Sequence, residues 1–327
     1  MLLPILLFLL GLVLLIKGGD WFVDGATGIA HRFHVPELLI GATVVSIGTT
    51  LPEVMVSATS ALSGHGEIAY GNAVGSVICN TALIAGLTAA IRPTPVERKS
   101  LMTPVVYFFA AAVVYLFAAY GLGSFPRLVG VVLLGLFAAY MAHTVHQART
   151  AAAPRPDSQS QPDPTPQETF RPLWQCLVQL VVGAVLIAFG ADLLVDNGTL
   201  IAKALGVPES VIALTFVALG TSLPELVTAI TSLVKGHGAL SLGNIVGANL
   251  FNLVLVSGVS TVLAPFQIPQ SKLVLGMNAS LLVELPVMVL VMALLTLPAL
   301  IRGKLSRAQG FALLGIYAAF CVFQFAA

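Results

Sequence analysis

The chain has 327 residues, 57% of them hydrophobic and only 9% charged, and a mean hydropathy of +0.98. Soluble domains carry about 25% charged residues, so this composition excludes an ordinary cytosolic enzyme, and its hydrophobicity excludes a disordered chain. Fifteen Lys and Arg against fourteen Asp and Glu leave a formal charge of +1, with no basic excess to hold nucleic acid; a polytopic membrane protein remains.

A membrane-spanning helix needs about 20 mainly apolar residues. The sequence predicts ten such helices, at 2–28, 37–62, 68–91, 101–120, 127–147, 173–200, 209–234, 240–264, 273–298 and 308–325. The first, MLLPILLFLLGLVLLIKGGDWF, lacks the basic start and small-residue cleavage site of a signal peptide. It reads as a retained transmembrane helix. After the fifth comes ARTAAAPRPDSQSQPDPTPQETFRP, which holds six of the nineteen prolines. This is a flexible, partly extended linker, too short for a domain of its own. Cys79, Cys176 and Cys321 lie far apart in apolar stretches and read as buried small hydrophobes, with no disulfide framework or zinc site. Trp21 and Trp174 read as anchors at the membrane interface.

Orientation follows the Lys and Arg of the connecting loops. Eleven fall on one side: Arg32, Arg92, Arg98, Lys99, Arg149, Arg155, Arg171, Lys235, Arg302, Lys304 and Arg307. Three fall on the other, Arg127, Lys203 and Lys272. The bias puts the linker in the cytoplasm and both termini outside.

The sequence repeats itself at a shift of 172 residues. Residues 41–81 match 213–253 without a gap, with seventeen of forty-one positions identical. Upstream, Gly18, Asp20, Val23, Asp24 and Val35-Pro36-Glu37 align with Gly190, Asp192, Val195, Asp196 and Val207-Pro208-Glu209. The chain thus divides into a first five-helix repeat (1–148), a Pro-rich linker (149–172) and a second five-helix repeat (173–327). Because five is odd, the second repeat is inverted in the membrane. The predicted fold is all-α integral membrane, ten transmembrane helices as two inverted-topology repeats. Inverted repeats characterise secondary transporters, with the substrate site between them near the midplane.

Glu53 and Glu225 occupy equivalent places, about 17 residues into their spans. A carboxylate at that depth costs several kcal/mol unless it is paired or used. No Lys or Arg in either helix is placed to pair with it, so the default reading is a cation site. Thr49 and Thr50 precede Glu53 by four and three residues, on one helix face, and Thr221 and Ser222 stand likewise to Glu225. Pro52 and Pro224 cannot donate to the carbonyls of Gly48 and Gly220, which predicts kinks that expose carbonyl oxygens. Carboxylate, hydroxyl and carbonyl oxygens suit Na⁺ or Ca²⁺ rather than zinc or copper. The next helices carry Gly71-Asn72-Ala73-Val74-Gly75 and Gly243-Asn244-Ile245-Val246-Gly247, whose glycine spacing permits close packing. One turn on lie Ser76 and Asn80, matched by Ala248 and Asn252. Amides in a membrane core need partners.

These paired GTTLPE and GTSLPE segments, each followed by a GN-x-x-G-x-x-x-x-N helix, resemble the cation/calcium exchanger superfamily, and most resemble its prokaryotic sodium/calcium antiporters. The GNATE-like motif of the proton-coupled members is absent. The resemblance implies that Glu53 and Glu225 are shared Ca²⁺ and Na⁺ ligands, with the Thr49 and Thr221 carbonyls completing the Ca²⁺ site. It implies an outer Na⁺ site from Thr221, Ser222, Ser76 and the Ala218 carbonyl. An inner one would use Thr49, Thr50 and the Ser46 carbonyl, and Asn80 and Asn252 would line the middle. Two positions depart from the pattern. Ala248 stands where the family usually has a serine, and Asn252 where some members have an aspartate.

The function expected is Na⁺/Ca²⁺ antiport by alternating access in a prokaryotic inner membrane, extruding Ca²⁺. The expected partners are the two ions and the bilayer, with no cofactor, no nucleic acid and no obligatory protein partner. Proton- or K⁺-coupled exchange and a cation channel are the alternatives. No GxxxxGK[ST] motif is present to support ATP drive. His65 and His237 recur in Gly-His-Gly segments and read as glycine-permitted turns more than as pH sensors. The i,i+4 pairs Asp20/Asp24 and Asp192/Asp196 read as helix-end hydrogen-bonding groups more than as a cation vestibule. Glu284 is an intramembrane acid without a repeat partner, open between carrying a proton and tying helices together.

Overall fold

The computed structural model describes residues 2–152, 171–206, 220–270, 273–274 and 276–326. In chain order its helices are α1 (Leu2–Phe33), α2 (Glu37–Leu62), α3 (Gly66–Ile91), α4 (Arg98–Leu122), α5 (Arg127–Arg149), α6 (Leu173–Ala204), α7 (described over Leu223–Val234), α8 (Gly238–Leu263), α9 (Ser280–Arg302) and α10 (Arg307–Ala326). All but α7 and α10 are long and apolar enough by themselves to cross a membrane. The protein is an all-α integral membrane protein of ten helices in two inverted repeats. Most of the expected linker, and the first half of the expected seventh span, lie outside the described residues.

The inversion is visible in symmetric contacts. α1 and α6 pack antiparallel through glycines: a Cβ on Gly11 would lie 2.8 Å from the Gly190 carbonyl, and one on Gly183 would lie 2.8 Å from that of Gly18. Gly11 and Gly183 are equivalent residues, as are Gly18 and Gly190, so one contact is the other turned over. Hydrogen side chains let the two backbones touch. The same relation links the loops. Gly66 abuts Phe266 at one end of the bundle, and Gly238 abuts Thr94 at the other.

α8 sits at the centre, with every residue from Leu240 to Phe251 buried, as expected for a helix surrounded on all sides. Gly243 and Gly247 bring its backbone against Leu38, Ala42 and Ser46 of α2. α1 and α6 lie outside this core and present Leu2, Leu6, Val13, Leu177, Val181 and Val185 outward. Trp21 and Trp174 are also exposed. Cys79 and Cys176 are buried and free, whereas Cys321 is only half-buried.

Two turns end equivalent helices in the same way. Gly64 (φ +83°) and Gly236 (φ +89°) adopt the left-handed conformation, and the amides of His65 and His237 return to the carbonyls of Ser60 and Ser232 at 2.9 and 2.7 Å. This glycine-capped helix end matches the turn reading of both Gly-His-Gly segments.

Three expectations are corrected. The ninth helix begins at Ser280 and not at 273. Leu273–Val274 instead pairs with Met277–Asn278 around Gly276 (φ +77°), and Asn278 Oδ1 accepts the Ser280 amide at 2.8 Å. Turn chemistry prevails there over an apolar run. α1 continues to Phe33, ending only at His34 (φ +53°) and Pro36. Asp20 and Asp24 therefore lie inside the helix rather than at its end. Finally, α2 runs without a break through Pro52, whereas Thr221 and Ser222 form a turn that places Pro224 in the first turn of the described part of α7. A proline at a helix start sacrifices no hydrogen bond, so the two repeats solve the same sequence differently.

Candidate ion-binding site

Glu53 and Glu225 are both fully buried. They lie close enough for their charges to interact. Thr49 and Thr50 stand beside the Glu225 carboxylate, yet among the described residues no group hydrogen-bonds an oxygen of either acid. The side chains of Asn80 and Asn252 and the hydroxyls of Thr50 and Ser222 are also buried without partners. An unpaired buried polar group costs about 1–3 kcal/mol, and an ionised carboxylate costs more. Gathering so many in one place is tolerable if a ligand supplies the missing partner. Helices α2, α3, α7 and α8 contain no Lys or Arg, so no basic side chain of these helices supplies that partner.

The side chains are held by bonds that cross between repeats. Thr49 Oγ1 donates to Asn244 Oδ1 at 3.2 Å, and Thr221 Oγ1 donates to Asn72 Oδ1 at 3.3 Å. Ser46 Oγ donates to the Asn244 carbonyl at 3.0 Å and the Gly41 carbonyl at 2.8 Å. Asn72 Nδ2 donates to Ser57 Oγ at 2.8 Å and to the Glu53 carbonyl at 3.3 Å. A threonine hydroxyl that spends its proton on an amide oxygen keeps its lone pairs free to accept or to ligate. The Thr49 and Thr221 hydroxyls thus retain lone pairs available to a ligand.

Asn80 and Asn252 both sit in π-helical turns, Cys79–Ala85 and Asn252–Val256. The Asn252 turn packs against α2 and the Asn80 turn against α7. Such turns widen a helix by one residue and are frequent at functional positions. Ser76 is buried on α3, and Thr221 is half-buried. Ser76, Thr221 and Asn72 line one cavity of about 450 Å³, together with Glu284, Tyr317 and Gln324. Ala248, the counterpart of Ser76, is fully buried and offers no side-chain oxygen. Ala218 lies outside the described residues. Among the described residues no three His, Cys, Asp or Glu side chains converge; the donors are two carboxylates with hydroxyls and amides, a set for a hard cation.

The sequence reading left out Asn72 and Asn244 as site residues. Their signal was present, since the asparagine after each first glycine recurs at the 172-residue shift. Glu284 has partners of its own. Ser280 Oγ donates to it at 2.8 Å and Gln324 Nε2 at 3.3 Å, tying α9 to α10.

The pattern for "Sodium/calcium exchanger protein" matches residues 3–145 and 176–326. The chain belongs to the sodium/calcium exchanger family. Within it, the chain is 30% identical to the sodium/calcium exchanger MaX1 of Methanosarcina acetivorans across 98% of both proteins. It is 38% identical to the putative antiporter CaxA of Alkalimonas amylolytica, over 81% of this chain and 82% of that one. The sodium-calcium exchanger NCX_Mj, solved after soaking with 10 mM Na⁺ and 10 mM Sr²⁺, superposes with a TM-score of 0.79 at 33% identity, covering 100% of this chain and 98% of that one. This member of the exchanger family is a cation antiporter and not an enzyme.

Proposed function

We propose that the protein exchanges Na⁺ for Ca²⁺ by alternating access, with Glu53 and Glu225 as the shared ligands. The observation that carries this is the pair of fully buried carboxylates without a hydrogen-bond partner, in a core without a basic residue. Ca²⁺ binds between the two acids and the Thr49 and Thr221 carbonyls. Thr221, Ser222, Ser76 and the Ala218 carbonyl form an outer Na⁺ site. Thr49, Thr50 and the Ser46 carbonyl form an inner one, and Asn80 and Asn252 line the middle.

The charge balance makes exchange obligatory. Two carboxylates neutralise one Ca²⁺ or two Na⁺, so either loaded form crosses the low-dielectric barrier without a large charging cost. The empty site carries −2 and stays where it is. A third Na⁺ would make the cycle electrogenic and responsive to membrane potential.

The connecting loops define two ends. Residues 34–36, 92–97, 235–237 and 303–306 meet at one, where the Val96 amide donates to Gly303 O and His237 contacts Glu37. Residues 63–65, 123–126, 264–270 and 276–279 lie at the other, where Ser124–Phe125 pairs with Phe266–Gln267. The first end carries nearly all the loop Lys and Arg, so we place it in the cytoplasm of a prokaryotic cell, with the termini outside. An inward Na⁺ gradient then drives Ca²⁺ out.

The test is ⁴⁵Ca²⁺ uptake into proteoliposomes loaded with Na⁺, K⁺ or choline. Uptake that needs internal Na⁺, and is lost in Glu53→Gln and Glu225→Gln, is the expected result. Uptake without Na⁺ that follows a pH gradient would replace this reading with proton exchange.

A further inference from the structure

The two repeats meet the outer helices unequally. Gly19 of α1 lies against α7, where a Cβ would be 2.8 Å from Thr231 Oγ1 and 2.8 Å from Val227 Cγ1. Val227 and Thr231 lie on α7 between Glu225 and its basic end, on the face turned away from Glu225, so α1 is packed along the outer side of that half of α7. Just beyond, Lys235 caps α7. Its Nζ donates to Asp24 Oδ1 at 2.7 Å and to the Asp20 carbonyl at 2.9 Å, and lies 3.4 Å from Asp20 Oδ1. Arg171 adds a looser contact to the other Asp24 oxygen at 3.6 Å. The lysine side chain is three-quarters buried (25% exposed), so these charges are screened less than a surface pair.

Among the described residues, the equivalent positions at the opposite end make no such contact. Asp20 and Asp24 correspond to Asp192 and Asp196, both exposed, and Lys235 corresponds to Ser63, also exposed. Val227 and Thr231 correspond to Met55, 63% exposed, and to Thr59, exposed as well. The acids are repeated, but the cation that holds them is not.

We propose that Lys235 is a positioning residue that clamps α1 against the basic-end half of α7 and biases the exchanger toward the state open at the opposite end. This rests on the alternating-access reading above. In an inverted-repeat exchanger the two access states trade the conformations of the two repeats. What α1 and α7 do at one end in this state, α6 and α2 do at the other end in the alternate state. There Asp192 and Asp196 would meet Ser63, which has no charge to offer. The clamp therefore stabilises only one of the two states, and a contact made in one state alone shifts their populations.

The experiment measures apparent KM for Ca²⁺ at each face in sided vesicles, and takes the ratio of the basic-end value to the opposite-end value. Lys235→Ser should lower that ratio about fivefold, the change one partly buried ion pair carries, and Asp24→Asn should do the same with less disturbance to folding. Lys235→Arg should preserve the ratio. The charge swap Lys235→Asp with Asp24→Lys should restore it. Adding Ser63→Lys to Lys235→Ser moves the clamp to the other end and should push the ratio below that of Lys235→Ser alone. A ratio unmoved by Lys235→Ser and Asp24→Asn, or equally reduced by Lys235→Arg, overturns the clamp while leaving exchange intact. Wild-type protein without Na⁺-dependent ⁴⁵Ca²⁺ flux overturns both readings.

Discussion

The Thr49 hydroxyl of the first repeat is held by the Asn244 amide of the second at 3.2 Å, and the bond recurs with the repeats exchanged, Thr221 to Asn72 at 3.3 Å. Each half of the protein thus orients a threonine hydroxyl of the other, the one proposed to face the ion. Asn244→Ala and Asn72→Ala should each reduce Na⁺-driven Ca²⁺ flux by tenfold or more, because a hydroxyl freed of that bond is no longer held in one orientation. Asn244→Asp should differ from Asn244→Ala, since its oxygens still accept the Thr49 proton. Equal flux in the alanine variants and wild type, at equal protein per vesicle, would remove the asparagines from the site.

Glu53, Glu225 and Glu284 should separate by neutralisation. Glu53→Gln and Glu225→Gln remove the charges that balance the cation and should cut flux to background. Glu284→Gln keeps an oxygen to accept from Gln324 and an amide that can donate to Ser280 Oγ, and should retain flux within about threefold, as expected for a hydrogen bond of about 1 kcal/mol between helices. Glu284→Leu leaves the Gln324 amide without this partner and should lower thermal stability in detergent. Loss of transport in Glu284→Gln with the protein folded would assign the carboxylate a charge-carrying role.

Much of this was legible in the sequence because the repeat states each feature twice. The 172-residue shift identified the acids, their hydroxyl neighbours and the inversion, and one carboxylate alone would have been ambiguous with Glu284. Packing partners were less legible. Nothing in the order of residues announces that Lys235 reaches Asp24, 211 positions away, or that Pro52 is absorbed into a continuous helix while Pro224 opens one. Local patterns give periodicity and turn chemistry, whereas these outcomes depend on which helix lies alongside. The start of α9 was misplaced for the opposite reason: its apolar run outweighed the Gly276 turn and the Asn278 cap.

The glycine seam between α1 and α6 should tolerate no side chain. A Cβ on Gly183 would lie 2.5 Å from the Phe22 amide nitrogen, where neither backbone can yield cheaply. Gly183→Leu should lower the detergent melting midpoint and the yield of monodisperse protein, by the mechanism of an overpacked core, about 1–3 kcal/mol or more. Gly135, which has open space around its Cβ position among the described residues, is the control, and Gly135→Ala should leave both unchanged. A midpoint unmoved in Gly183→Leu would mean the seam is looser than these contacts require.

The proposed inner Na⁺ site offers a gain-of-function test. Ser76 supplies a hydroxyl on α3, and its repeat partner Ala248 supplies none, though it is fully buried on α8 beside Gly247, whose backbone lies against Ala42 and Ser46. Ala248→Ser adds a single oxygen, a small change in volume, to a region already rich in oxygen donors. A hard cation gains from each added oxygen ligand. The variant should therefore lower the apparent KM for Na⁺ at the basic end severalfold and steepen the Na⁺ dependence of Ca²⁺ flux, while the KM for Ca²⁺ changes little. Ala248→Val, which adds bulk without a donor, should do neither and should slow transport. If serine and valine act alike, the position governs packing alone, and the missing hydroxyl has no bearing on how many Na⁺ ions the protein carries.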